Sequence, residues 1–323
     1  MEMEAGEKQF QIEPPDMVIS DRTASRFKDY FSTLQTDVLY VPDYDSGLHA
    51  LIFHALPPSV VRILGDHNPG PASAAMEQSA GPNKKKRNKM FYAASKLADA
   101  VHVVNPSLRE LYAKSLSKPI LSIPNPIQIR DDLVADAFAS RTVIVVGRFV
   151  QEKFIPDAIE AFAEATRDRP EWKLEIYGRG PDQEEVEITR EYSTARDRIT
   201  ILEPTPNILD RMADCAIHLS ASKMESFGLT LAEAMGIGVL VVSRYHAGSA
   251  FLLAEKRGSV AKDNTVASLS TALRDMIEQV EKRNPKLQDQ ISIGKLFAET
   301  LTREQLGKQW LDTIVKLSSS TDR

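Results

Sequence analysis

Two glutamates stand eight positions apart in the stretch KMESFGLTLAEAMGIG, residues 223–238. Glu225 falls in an expected loop. Glu233 falls inside an expected helix among Leu229, Leu231, Ala232, Ala234 and Met235. A buried charge without a partner costs on the order of several kcal/mol, so a carboxylate in that company needs an explanation. The strand AIHLSA runs into KMESFG, and the helix begins near Gly228. Its first turn offers free backbone N–H groups and the positive end of the helix dipole, a phosphate site. With phosphate there, one glutamate can accept from ribose hydroxyls and the other from a sugar. The plainer alternative is a surface glutamate on an ordinary amphipathic helix.

A second group of polar residues follows the strand TVIVVG (142–147). Gly147 permits a tight turn, and Arg148 and Lys153 could converge on an anion, one as a fork and one as a point charge. The next strand ends in YGRGP, where Gly178 and Gly180 around Arg179 would let backbone approach a ligand closely. His67 ends VVRILGDH. Lys84, Lys85, Lys86, Arg87 and Lys89 precede Met90, Phe91 and Tyr92, an arrangement suited to anionic lipid or a phosphate-rich polymer, or simply a solvated charge run.

Such residues must be held by strands and helices. Apolar runs that predict strands occur at 16–20, 37–41, 60–64, 100–104 and 119–124, and again at 142–147, 173–178, 199–202, 216–221 and 239–243. Many are continuous rather than alternating, as in strands covered on both faces. Helical stretches such as IPDAIEAFAEATRD (155–168) lie between them, which implies parallel sheets with right-handed crossovers and an α/β fold of two doubly wound, Rossmann-like domains. The expected division is a tail at 1–15, a short amino-terminal domain at 16–138, a carboxy-terminal domain at 139–300, and a closing helix and tail at 301–323. The boundary falls in NPIQIRDDLVADAFASR (125–141).

Composition excludes several classes. The chain has 323 residues and a formal net charge of −5, spread evenly, which argues against nucleic acid as a partner. Cys215 is the only cysteine, so neither an intrachain disulfide nor a cysteine metal site is possible, and the six histidines are scattered. The acidic opening MEMEAGEKQFQIEPP lacks the apolar core of a secretory signal, and no apolar run reaches bilayer length. The expectation is a cytoplasmic protein, at most peripheral to the inner face of a membrane.

The combination GRFVQEK, YGRGP, ITIL and SASKMESFGLTLAEAMGIGVLVVS resembles the donor half of family 4 glycosyltransferases, which have the GT-B fold. Glu225 and Glu233 match that family's Glu-x7-Glu motif. The resemblance implies a retaining, metal-independent enzyme that uses a nucleotide-diphosphate sugar as donor and no cofactor. It implies that Arg148 and Lys153 bind the diphosphate, that Glu233 holds the ribose, and that Glu225 contacts the donor sugar. Phe227, Gly228, Leu229 and Thr230 would cradle phosphate, with Gly147, Gly178 and Arg179 in the donor site and His67 reaching across a cleft. The acceptor would be a cell-surface glycan, polymer, lipid or protein.

Asp43-Tyr44-Asp45 mimics the manganese motif of the other major glycosyltransferase fold, and is read as incidental or acceptor-contacting. Three departures stand out. The first domain is short and shows no opening glycine-rich loop, Glu203 replaces a glycine after ITIL, and Phe251 stands where a glutamate is usual near the sugar. They leave open a non-catalytic GT-B subunit that binds a nucleotide-sugar or a partner transferase, and a sugar-nucleotide epimerase.

Overall fold

The computed structural model describes residues 29–31, 33, 36–42, 48–67 and 91–319, with side chains 48–51 excepted. Its strands form two parallel sheets. The first contains β1 (Val38–Val41), β2 (Val61–Asp66), β3 (Ala100–Val103) and β4 (Ile120–Ser122), in the order β1-β2-β3-β4. Helices α1 (Leu48–Ala55) and α2 (Pro106–Ala113) belong to its crossovers. Every residue of β2 and β3 is buried, while the edge strand β4 is half-buried throughout, so the uninterrupted apolar runs mark strands covered on both faces. The strand expected at 16–20 lies outside the described residues.

The second sheet has the order β10-β9-β8-β5-β6-β7. Along the chain its strands are β5 (Thr142–Val146), β6 (Lys173–Tyr177), β7 (Ile199–Leu202), β8 (Ile217–Ser220), β9 (Leu240–Ser243) and β10 (Ser259–Val260). The connecting helices are α3 (Ile155–Ala165), α4 (Gln183–Tyr192), α5 (Ile208–Ala213), α6 (Leu229–Gly236), α7 (Ala247–Leu252) and α8 (Val266–Glu281). Strand β10 was not expected; two residues carry no readable period. Helix α3 begins at Ile155-Pro156, where the missing proline N–H costs nothing, and buries Ile155, Ala158, Ile159 and Phe162. It packs against the Leu269–Leu273–Met276–Ile277–Val280 stripe of α8. Each such leucine, isoleucine, valine, methionine or phenylalanine side chain contributes about 1.5–3 kcal/mol by leaving water.

Between β4 and β5 the chain is irregular, held by Ile127 N–H to Leu301 O at 2.9 Å and a parallel bridge from Ile127 to Thr302. Helices α9 (Lys286–Glu299) and α10 (Arg303–Ser319) follow the second sheet. The last reaches back to the first sheet, with the Trp310 ring 5.3 Å from Tyr40 and 4.7 Å from His102. Among the described residues no helix is long and apolar enough to cross a membrane.

One topological feature locates the site. From β5 the chain moves outward through β6 and β7, then returns to β5's other side with β8 and moves outward again through β9 and β10. The loops after β5 and β8 therefore part in opposite directions. The crevice between them is where open α/β sheets bind ligands.

Candidate functional site

The loop after β5 turns at Gly147, crosses the exposed Arg148 and closes in a single 3-10 turn, Gln151–Lys153. Phe154 follows with φ 49°, a left-handed conformation that reverses the chain into α3. The Lys153 side chain lies along the bare face of Gly147. Its Nζ donates to Glu225 Oε1, on the loop after β8, and Ser222 Oγ donates to the same oxygen at 3.4 Å. The Arg148 guanidinium has no partner among the described residues.

Helix α6 starts at Gly228 with φ 95°, and no side chain caps it. The amides of Gly228, Leu229 and Thr230 meet no acceptor among the described residues. Free N–H groups at a helix start and a lysine ammonium are both groups that can hold an anion, through the helix dipole and as a point charge. One turn further, the half-buried Glu233 carboxylate has no hydrogen-bond or ion-pair partner among the described residues, and burial raises its pKa.

Two histidines brace this face. His218 on β8 is buried, with Nδ1 3.2 Å from Ile144 O and Nε2 3.2 Å from Thr230 Oγ1. A carbonyl only accepts, so Nδ1 carries the proton and Nε2 accepts from the threonine hydroxyl. His246 caps α7: its Nδ1 accepts from Ser249 N at 3.0 Å while its own N–H donates to Ser249 Oγ at 2.9 Å. Burial lowers both imidazoles to about 4, so both are neutral. Gly248 lets α7 lie on the glutamate loop, since a Cβ there would stand 2.0 Å from Phe227 O; its N–H donates to Glu225 O at 3.0 Å.

The first sheet meets the same loop. Ser226 Oγ donates to His67 O, and Asn105 Nδ2 donates to Ser226 O. The His67 ring is 2.6 Å from Tyr40 Oη through Nε2, and Tyr40 Oη is 2.9 Å from His102 Nδ1. His102 Nε2 donates to Ile123 O, so its Nδ1 accepts the Tyr40 proton and His67 Nε2 donates to the phenol oxygen. Burial lowers His102 to about 4.

The expected residues thus fall into groups. Lys153, Glu225, Gly228, Leu229, Thr230 and Glu233 come together around the start of α6, with Gly147 and Arg148 at the adjoining turn. Phe227 contributes backbone there, while its buried ring packs 6.3 Å from Phe251. Gly178 and Gly180 also face a neighbouring loop. A Cβ at Gly178 would lie 1.9 Å from Gly147 O, and one at Gly180 2.2 Å from Phe149 O. Their bareness serves loop-on-loop contact, sealed by Phe149 N–H to Arg179 O at 2.9 Å. Arg179's side chain is exposed. Phe251 likewise turns into the core, 5.7 Å from Phe297. Asp43, Asp45 and the basic run Lys84, Lys85, Lys86, Arg87 and Lys89 lie outside the described residues. Sequence reasoning missed His218, Ser226, Asn105, Tyr40 and Arg244. Only Arg244 carried a signal, a charge directly after a buried strand, as Arg148 is.

Comparison with known proteins fits this geometry. Residues 137–289 match the family model for glycosyl transferases group 1. An exopolysaccharide phosphotransferase of Streptomyces coelicolor is 25% identical over 300 residues, covering 90% of this chain and 30% of that protein. The crystal structure of TarM superposes with TM-score 0.74 at 17% identity, covering 90% of this chain and 58% of that one. The pneumococcal O-GlcNAc transferase GtfA, in complex with UDP and GlcNAc, does so with TM-score 0.70 at 18% identity, over 90% and 59%. The chain spans less than two thirds of each of them. It has the GT-B fold, and its second half carries a domain that matches the glycosyl transferases group 1 family.

Proposed function

We propose that the protein is a glycosyltransferase of the hexosyl-transferring class, EC 2.4, which passes a sugar from a nucleotide-diphosphate donor to an acceptor with retention of configuration. One observation carries the reading. The uncapped start of α6, the Lys153–Glu225 pair and the unpartnered Glu233 adjoin one another at the switch point of the second sheet. Each lacks something a nucleotide-sugar has: the amides an anion, Glu233 a pair of hydroxyl donors. The UDP in the GtfA structure supports the donor class.

In this reading residues 139–300 hold the donor and 16–138 face the acceptor. Diphosphate lies on the amides of Gly228, Leu229 and Thr230, with Lys153 and Arg148 against its charge. As the glycosidic bond breaks, negative charge grows on the leaving phosphate, and fixed cations and amides stabilise that charge more than the ground state. Glu233 accepts from the ribose hydroxyls. Glu225 accepts from the sugar, and His67 approaches the sugar from the first sheet. No cofactor or metal enters the scheme. The acceptor is a cell-surface glycan, polymer, lipid or protein, and Lys84, Lys85, Lys86, Arg87 and Lys89 serve contact with an anionic membrane face or a phosphate-rich polymer. The exopolysaccharide link of the Streptomyces relative agrees with that acceptor class.

The test is thermal unfolding with UDP, GDP, ADP and their sugar conjugates, followed by nucleotide release with polyol-phosphate polymer. A ligand at 100 times its Kd adds about 2.7 kcal/mol to stability, a readable shift. Binding of one nucleotide and acceptor-dependent release support the transferase. Binding without release under any acceptor favours a non-catalytic, donor-binding subunit, and no binding at all removes the donor site.

A further inference from the structure

Arg244, the residue after β9, has a side chain with 0% exposure. Its Nη1 donates to Ala221 O at 3.0 Å, and its Nη2 donates to Asp157 Oδ2 at 2.6 Å. Its guanidinium carbon lies 5.6 Å from the centroid of the Phe154 ring, and Lys223 Nζ lies 3.8 Å from the same centroid. Three loops therefore meet at one charge. Phe154 and Asp157 flank the start of α3 immediately after Lys153; Ala221 and Lys223 lead to Glu225; the third loop is Arg244's own, where its carbonyl accepts from Ser249 Oγ at 2.7 Å. The backbone repeats the connection, with Lys223 N–H donating to Glu152 O at 3.4 Å.

As a device for stability alone this arrangement is poor. Arg244 Nε is buried without a hydrogen-bond partner, and a buried ion pair is often no better for stability than apolar side chains of the same volume. What the guanidinium does well is fix geometry, because its planar fork has little freedom once two nitrogens are engaged. We propose that Arg244 is a positioning residue: by tying the first turn of α3 to the end of β8, it sets where Lys153 and Glu225 stand relative to the start of α6. The proposal rests on the nucleotide-sugar reading of that site.

The experiment is a double-mutant cycle on nucleotide affinity, read by calorimetry with UDP, GDP and ADP on proteins shown folded by circular dichroism. Arg244→Met keeps the apolar stem and removes the fork; Lys153→Met removes the charge that is positioned. Each single variant weakens the nucleotide that wild type binds by about tenfold or more, and Arg244→Met changes it by less than about twofold when Lys153 is already methionine. Asp157→Asn, at a side chain in the first turn of α3, weakens binding in the same coupled manner and serves if Arg244→Met does not fold. Unchanged affinity in the folded variants, or losses that simply multiply, overturn the positioning role while leaving the donor site standing. Wild type that binds none of the three nucleotides overturns the reading of the site, and the proposal with it.

Discussion

Lys153 donates to Glu225 across 72 positions of sequence, closing the crevice where the strand order of the second sheet reverses. Neither partner is fully buried, the lysine side chain being 28% exposed and the carboxylate 23%. Pairs of this exposure contribute little to stability, about 0–1 kcal/mol. The contact matters for where it leaves the ammonium.

Replacing the two partners therefore has different effects. Lys153→Met removes the cation facing the diphosphate and weakens nucleoside diphosphate binding by about 2 kcal/mol, within the range of charge-assisted hydrogen bonds, while the bare nucleoside is unaffected. Glu225→Gln releases Lys153 from its competing carboxylate. It leaves diphosphate binding equal or tighter, yet lowers sugar transfer, because an amide is a weaker acceptor for the sugar than a carboxylate. Titration calorimetry with nucleoside and diphosphate, set beside the rate of nucleotide release, separates the two. Weaker diphosphate binding in Glu225→Gln would overturn this division of roles.

Glu233 predicts a conflict between stability and binding. Burial raises its pKa in the folded protein, so over the range just above the ordinary carboxylate value the folded state holds more protons than the unfolded one. Unfolding free energy then falls as pH rises through that range, and the penalty persists at neutral pH. Glu233→Gln removes the charge, so the ligand-free variant melts higher than wild type at neutral pH and loses that part of the acid-to-neutral decline. The same variant binds nucleotide less well, for an amide is a weaker acceptor of ribose hydroxyls than a carboxylate. Melting curves across pH, with and without nucleotide, give both signs at once.

Much of this was legible because strands such as β2, β3 and β9 are buried on both faces. Apolar runs marked β1 to β9, and Gly228 marked the start of α6. What escaped were features that depend on strand order. Nothing in YGRGP says that its glycines face Gly147 and Phe149, since that follows from β5 lying beside β6. Nothing in SRYHAG says that Arg244 meets Asp157, 87 positions earlier, since that follows from the return of the chain to β8 and β9. A lone polar residue after a strand looks the same in sequence whether it faces a ligand, as Arg148 can, or ties two loops together, as Arg244 does.

The glycine reading has its own check. At Gly178 an added methyl would strike the Gly147 carbonyl oxygen, a backbone atom that cannot swing aside. Gly178→Ala therefore costs about 1–3 kcal/mol as overpacking and moves the turn that leads to Arg148 and Lys153. Gly307→Ala, with nothing within 4 Å of the new carbon and a place inside α10, gains up to about 1 kcal/mol instead. Denaturant midpoints of the two variants should shift in opposite directions. A neutral Gly178→Ala would mean the two loops are not in contact in solution.

Ser226 and Asn105 give the last prediction, because they fasten the glutamate loop to the first sheet. Asn105 does two jobs with one amide: its Oδ1 accepts from Leu108 N at 3.1 Å as the cap of α2, and its Nδ2 donates to Ser226 O. Asn105→Asp keeps the cap but turns the donor into an acceptor facing a carbonyl, so it repels the loop without unravelling the helix. Ser226→Ala removes only the hydroxyl that donates to His67 O. If the loop is held by the first sheet, both variants loosen it. Nucleotide affinity then falls about three- to tenfold in each, equivalent to the roughly 0.5–1.5 kcal/mol of one hydrogen bond, and amide exchange quickens over 223–228 with α2 still protected. Exchange that quickens in α2 and not in the loop would instead make Asn105 a cap and nothing more.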